Sequence, residues 1–383
     1  MTHDRYVVLT GGKKNAGDHL IKYKALRLFK AIRPDREVVA LDPWKPLSTE
    51  DLQLINESKA LILTGGPALQ GNMYPGVYPL VDDLDQIKVP VLTMGIGYKE
   101  ESGHWHNTTQ YLLSASSIKL LKRIEASGYK SSVRDYHTLN ALLHKGFKSF
   151  VMSGCPALYE VDQIKQSIKA SKSFQNIAFS LGVSFIQSDS MRDQMRSLML
   201  AIKHEYSSSK FVVYFHHTID LNQPKQEEMV NWLKQNNICF EDISATEKMM
   251  VETYQSCDIH IGYRVHAHIH ASSMGVPSIL INEDSRGKGF YTVMGGLVID
   301  GYYSLPRFNR PAASTFYKML GAVKKISDKL GLIPGLEAYE HLSKDVLFMM
   351  KYELEAGHPR TKVVRSNIDI HFEEMKKFLL QLP

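Results

Sequence analysis

Short apolar runs and amphipathic stretches alternate almost from end to end of this chain. Residues 6–9 (YVVL), 38–41, 60–63 (ALIL), 90–94 (PVLTM), 130–133 and 150–152 read as strands. Helix-like segments fall between them, from about residue 18, at 107–123 and at 136–144. The pattern starts afresh at 176–181 (NIAFSL) and continues through 211–215 (FVVYF), 239–243, 258–261 and 277–281 (PSILI). Helices are expected at 190–206, 225–235, 247–256 and 266–274. Strands separated by helices of about 10–15 residues predict βαβ units and parallel sheets.

The expected architecture is therefore α/β, two Rossmann-like domains facing one another across a cleft. The boundary is set in the polar stretch 159–175, rich in Lys, Ser and Gln, giving domains 1–165 and 166–383. Further helices are expected at 313–330, 337–352 and 369–380. In parallel sheets, ligands sit beyond the carboxyl ends of the strands. Glycine-bearing turns fall at such ends, at 65–67, 95–97 and 153–156.

Composition narrows the classes. Of 383 residues, 44% are hydrophobic and 22% charged, the balance of a globular chain with enough apolar material for a core. The net charge of +6 is scattered, with no Lys/Arg run or aromatic-interleaved basic stripe, which argues against nucleic acid. The surplus fits an anionic small-molecule substrate and an anionic membrane surface equally well. Cys155, Cys239 and Cys257 are too far apart for a disulfide framework or a zinc site. The N-terminus lacks a signal-peptide pattern, and no apolar stretch is long enough to span a bilayer. The expected place is the cytoplasm, with peripheral contact at the inner face of the membrane left open.

Four segments carry candidate chemistry. The first, residues 11–18 (GGKKNAGD), joins a strand to a helix, where glycines admit close approach of a ligand and a helix N-terminus attracts anions. Gly12 and Asn15 are its candidate substrate contacts; a tight turn with Asp18 as helix N-cap is the plainer reading. The second, residues 132–135 (SVRD), lets Asp135 cap a helix and leaves Arg134 facing the strand-end surface. There it can grip a carboxylate or phosphate in a fork, or make an ordinary surface ion pair.

The third, residues 264–271 (RVHAHIHA), has three histidines at alternate positions, of which only His266 and His270 share a helix face. No carboxylate completes a zinc pattern, so one catalytic histidine at a loop-to-helix junction is the preferred reading and no metal is expected. The fourth, residues 283–289 (EDSRGKG), offers Arg286 on a loop after a strand, with a solvated turn as the plainer reading.

In order and spacing these segments resemble the polysaccharide pyruvyl transferase family. The start G-G-x-x-N-x-G-D, the S-V-R-D segment, G-C-P-A-L at 154–158, R-V-H-A-H-I-H-A, G-V-P-S-I-L-I-N and the Arg286 loop together span most of residues 6–290. The resemblance implies a glycosyltransferase B-like fold, with an acceptor-side first domain and a donor-side second domain. It implies phosphoenolpyruvate as donor, no cofactor, and a sugar acceptor in a glycan or its lipid-linked precursor, as in cell-surface polysaccharide synthesis. Carried onto this chain, Arg134 and Arg264 would hold the donor's anionic groups, with Arg286 a further cation. His266 would be the acid, and Asp18 would lie near the acceptor. The Lys13-Lys14 pair departs from the family pattern.

Two rivals stand beside this reading. A nucleotide-sugar glycosyltransferase of the same fold would need a pocket for a base and ribose, often with a glutamate near the second-domain strand ends, for which Glu283 or Glu252 could serve. A non-catalytic sugar- or nucleotide-binding module is the other, against which stands the gathering of acid, base and cation candidates at strand ends.

Overall fold

A computed structural model describes residues 4–10, 15–100, 103–303 and 337–383. The first half is built on a parallel sheet of β1 (Arg5–Leu9), β2 (Glu37–Leu41), β3 (Ala60–Thr64) and β4 (Val91–Met94), in the order β2-β1-β3-β4. Val7 pairs with Val39 on one side and Leu61 on the other. Past β4 the sheet direction continues into the pair β5 (Ser131–Val133) and β6 (Phe150–Met152): Gly95 N donates to Ser132 O at 3.0 Å, and Ile96 bridges Val133. The helices α1 (Ala16–Ile32), α2 (Thr49–Asn56), α3 (Ala115–Glu125) and α4 (Tyr136–Leu143) lie between these strands in sequence.

The second half holds a six-stranded, all-parallel sheet. Its strands are β7 (Asn176–Ser180), β8 (Lys210–Phe215), β9 (Cys239–Asp242), β10 (Ile259–Gly262), β11 (Ser278–Asn282) and β12 (Val298–Asp300), in the order β12-β11-β10-β7-β8-β9. From the β9 edge, counting strands from β7, this order is 3-2-1-4-5-6, the doubly wound pattern. Its switch point lies between β7 and β10, beyond Ser180 and Gly262. The helices α5 (Asp189–Glu205), α6 (Pro224–Gln235), α7 (Glu247–Gln255), α8 (Val265–Ser273) and α9 (Ser285–Met294) complete the alternation. The architecture is thus the expected α/β fold of two Rossmann-like halves, glycosyltransferase B-like.

The strands are continuous apolar runs because helices cover both faces of a parallel sheet. Val7, Val8, Leu61, Ile62 and Leu92 are fully buried in the first half, as are Phe179, Val213, Ile261 and Ile279 in the second. The first core does not stop at the seam. Ile269 of α8 and Phe290 of α9 belong to it, as do Ile368, Met375 and Phe378 of the C-terminal helix Pro359–Leu380. The chain end is pinned there too, since Tyr6 OH donates to Pro383 O at 2.6 Å and Arg33 donates to Leu379 O at 3.1 Å.

Local patterns were displaced in several places. The helix expected at 107–123 is a short turn, Trp105–Thr108, and then α3 from Ala115, where Ser114 caps by accepting from Ser117 N at 3.1 Å. The helix expected at 337–352 runs Leu342–Glu355, and that at 369–380 begins a full ten residues earlier, with Pro359 in its first turn. The expected helix at 313–330 lies outside the described residues. Among the described residues no helix is long and apolar enough to cross a membrane.

Candidate active site

The carboxyl end of β1 leads toward α1, whose first turn faces the second half. Gly12, with Lys13 and Lys14, lies outside the described residues. Asn15 is the N-cap: its Oδ1 accepts from Gly17 N at 3.1 Å, while its Nδ2 donates to Asp18 Oδ2 at 3.1 Å. Asp18 is therefore not the cap, as the plainer sequence reading had it. It stands in the first turn with its carboxyl oriented by Asn15. Burial raises its pKa above the ordinary carboxylate value, against the opposing pull of Asn15, His19, Arg264 and Arg286.

Opposite this turn, β10 ends in Gly262, whose φ of +146° suits glycine and whose missing side chain lets the backbone lie on Ser180. Ser180 then holds the turn twice. Its carbonyl accepts from Tyr263 N at 2.9 Å and its Oγ from Arg264 N at 3.1 Å. Arg264 is 7% exposed, yet its guanidinium has no hydrogen bond or ion pair among the described residues. His266 follows in the first turn of α8 and meets α1 at Gly17, where an added Cβ would lie 2.2 Å from His266 Nδ1. Only glycine permits that approach.

The other histidines of this segment serve the interior. His268 Nδ1 is 2.7 Å from Ser278 Oγ, which is also 2.7 Å from His260 Nδ1, and His260 Nε2 reaches Ser180 Oγ at 2.8 Å. His270 is buried, with Ser273 Oγ 3.4 Å from its Nδ1. Among the described residues no three His, Cys, Asp or Glu side chains gather as a metal site would require.

Arg286 occupies the first turn of α9 rather than a flexible loop. Asp284 caps that helix, accepting from Arg286 N at 2.9 Å, and grips the arginine through its Nε at 2.9 and 2.8 Å. The helix tolerates Gly287 because a Cβ there would overlap Asn282 Oδ1 at 1.6 Å. Neighbouring Glu283 Oε2 accepts from Val183 N at 2.8 Å and Ser184 N at 2.9 Å.

Arg134 departs most from expectation. It is 1% exposed, not at the surface. Its Nε donates to Asp135 Oδ2 at 3.1 Å and its terminal nitrogen to Tyr98 O at 3.2 Å, and it lies 5.4 Å over the ring of Phe290 from α9. Asp135 also caps α4, accepting from Thr138 N at 2.7 Å. The pair is thus buried by the second half.

Asn15, His216, Arg264, Val265, His266 and Arg286 line one cavity at the seam. His266 feels all three arginines. Burial first, then Arg134, Arg286 and Arg264, lowers its pKa to about 3, so the imidazole is neutral when the site is empty. Burial also lowers the pKa of Arg264, as expected for an unpaired cation. His216 was missed from the sequence. It directly follows the apolar run of β8, so the strand-end rule that marked the other residues would have found it. Its carbonyl accepts from Ala16 N at 3.2 Å and the next residue, His217, bridges Asn15, so this loop joins the halves at the cavity.

The class these features define is an α/β protein of two Rossmann-like halves with a cation-rich cavity at their seam. A family model of polysaccharide pyruvyl transferase matches residues 15–285. The chain belongs to the polysaccharide pyruvyl transferase family, and so to a family of transferases. The matched span holds Asn15, Asp18, Arg134, Arg264 and His266, and Arg286 lies one residue beyond it. A search of curated proteins finds no match. Among solved structures the chain is similar to the UDP-GlcNAc 2-epimerase of Neisseria meningitidis bound to UDP-GlcNAc, at 10% identity over 97% of this chain and 100% of that one, TM-score 0.46. It is also similar to Anabaena HepE in complex with UDP-glucose, at 9% identity over 99% and 98%, TM-score 0.47.

Proposed function

We propose that this protein transfers the pyruvyl group of phosphoenolpyruvate to two hydroxyls of one sugar, forming a pyruvate ketal on a polysaccharide or its precursor. Arg264 carries the reading. A buried guanidinium without a partner is costly, and a ligand phosphate or carboxylate relieves that cost. Phosphoenolpyruvate supplies both groups on three carbons, and Arg286 and Arg134 add to the field that would hold them. The nucleotide-sugar alternative would draw on Glu283, whose Oε2 accepts from two backbone N–H groups and whose Oε1 has no hydrogen-bond partner among the described residues.

The reaction begins with proton transfer to the donor's methylene carbon, which makes a methyl group and an oxocarbenium-like centre. His266 is the proton donor in this scheme. Burial first, and then the three arginines, keep it neutral without the donor; the donor's negative charge would offset the arginines and so favour uptake of a proton as it enters. One sugar hydroxyl attacks the centre and gives its proton to Asp18, whose raised pKa suits it as a base. Phosphate then leaves, a second hydroxyl of the same sugar closes the ring, and its proton goes to the departing phosphate.

The test is enzyme-dependent release of inorganic phosphate from phosphoenolpyruvate across a panel of sugar acceptors, with the new ketal methyl followed by NMR. Release that requires an acceptor, and falls about 10²- to 10⁴-fold in His266→Gln, is the expected result. No release with any acceptor, together with thermal protection by UDP-sugars but not by phosphoenolpyruvate, would overturn it. Calorimetry in buffers of different ionisation heat should also register proton uptake on donor binding; its absence would remove His266 as the acid.

A further inference from the structure

One ionisable side chain of the cavity, His216, has no part in this chemistry. His216 is 2% exposed and lines the cavity beside Arg264, His266 and Arg286. Its Nε2 lies 2.6 Å from the hydroxyl of Tyr254 on α7. Tyr254 is fully buried, and among the described residues its hydroxyl has no other hydrogen-bond partner. The ring is fixed in place, edge-on to His260 at 5.2 Å. Burial keeps that hydroxyl protonated, so its one proton must go to His216 Nε2. Burial, followed by Arg264 and the neighbouring histidines, keeps His216 neutral. A neutral imidazole that accepts at Nε2 carries its hydrogen at Nδ1. His216 Nδ1 has no protein partner among the described residues.

We infer that His216 donates a hydrogen bond from Nδ1 to an anionic oxygen of the donor, with Tyr254 as the positioning residue that fixes this tautomer. The inference rests on the phosphoenolpyruvate reading of the cavity. It adds a directional, uncharged donor to a set otherwise made of arginines. It also gives the loop after β8 a reason to be tied to α1, because the bridge between His217 and Asn15 and the Ala16-to-His216 hydrogen bond hold the imidazole at the seam.

Two amides separate the ring nitrogens. Asparagine places its NH2 near the position of Nδ1, whereas glutamine reaches that of Nε2. Phosphoenolpyruvate is titrated calorimetrically into the full chain as wild type, His216→Asn, His216→Gln and Tyr254→Phe, with melting temperatures recorded for each. The expected result is affinity within about threefold of wild type for His216→Asn and a loss of about ten- to a hundredfold for His216→Gln, the range for a hydrogen bond to a charged group. Tyr254→Phe, which leaves the imidazole in place but frees its tautomer, should weaken binding by a smaller factor. Equal affinities for His216→Asn and His216→Gln, or an unchanged Tyr254→Phe, would overturn the inference while wild-type binding keeps the donor reading. A wild type that does not bind phosphoenolpyruvate would sink the donor reading and this inference together.

Discussion

Two strand-to-helix turns in this protein share one local design and meet opposite fates. In the first half β5 runs into Arg134 and Asp135 and then α4; in the second β10 runs into Tyr263 and Arg264 and then α8. Each puts an arginine at the carboxyl end of a parallel strand, and each arginine is buried. Arg134 has its donors on Asp135 and Tyr98 and its face on Phe290. Arg264 has none of these, because the helix after it is pinned through its backbone to Ser180 instead of through an acidic cap. The adjacent aspartate decides the difference. With it, the cation becomes a strut across the seam that also shapes the field at His266; without it, the guanidinium keeps its donors unused among the described residues, as the proposed donor site requires.

The comparison breaks most sharply on stability. Arg134→Ala leaves the Asp135 carboxylate buried without its cation, Oδ2 unpartnered and only the Thr138 bonds to Oδ1 remaining, and should cost about 3–5 kcal/mol in urea unfolding. Arg264→Ala removes a buried charge that has no hydrogen bond or ion pair among the described residues and only the longer-range pull of Glu283 and Asp284, so its unfolding free energy should be close to wild type or higher. Equal losses in the two variants would contradict the contrast. On binding the order reverses. Arg264→Ala should weaken phosphoenolpyruvate by about 2–5 kcal/mol, the range for truncating a buried charged partner, measured by titration calorimetry.

Acid sensitivity sharpens the picture of the second half. His216, His260, His266, His268 and His270 all have pKa values pulled down by burial, to about 3 for His266 and His268. Unfolded histidine titrates near 6.5. As pH falls below that value, the unfolded chain takes up protons that the folded one refuses. The stability present above about pH 6.5 is therefore lost progressively on the way down toward the folded values. The slope approaches about 1.4 kcal/mol per pH unit for each such histidine. A melting temperature that holds steady from pH 7.5 to 5 would show that these rings are not held neutral.

The smallest effect expected is that of Gly17→Ala. The added methyl would press on His266 at 2.2 Å, an overpacking strain of about 1–3 kcal/mol, partly offset by alanine's better helix propensity. Turnover should fall by more than the melting temperature suggests. Turnover equal to wild type would mean that His266 does not need its seat against α1.

Much of the fold was legible because parallel strands buried on both faces appear as unbroken apolar runs. The strand-end rule then marks Asp18, Arg134, Arg264, His266 and Arg286 as candidates from the amino-acid sequence alone. What stayed hidden depends on contacts between distant segments. Nothing local says that Phe290 will cover Arg134. The sequence 283–289 reads as a loop because glycines disfavour helix interiors. In the fold Gly287 and Gly289 sit inside α9, where a Cβ would strike Asn282 Oδ1 at 1.6 Å and Asp135 at 2.9 Å. Asn15 rather than Asp18 caps α1 because the helix begins two residues earlier than its apolar periodicity shows. His216 was within reach of the same rule and was passed over for want of a motif around it.

The most direct test is calorimetric titration of phosphoenolpyruvate into the wild type and Arg264→Ala side by side, at a temperature where both are folded. Saturable binding to the wild type that is lost or weakened at least about thirtyfold in Arg264→Ala is the predicted result. Wild-type binding that survives the substitution undiminished, or no binding to the wild type at all, would contradict the claim that the unpaired arginine at the seam is the anchor of the donor site.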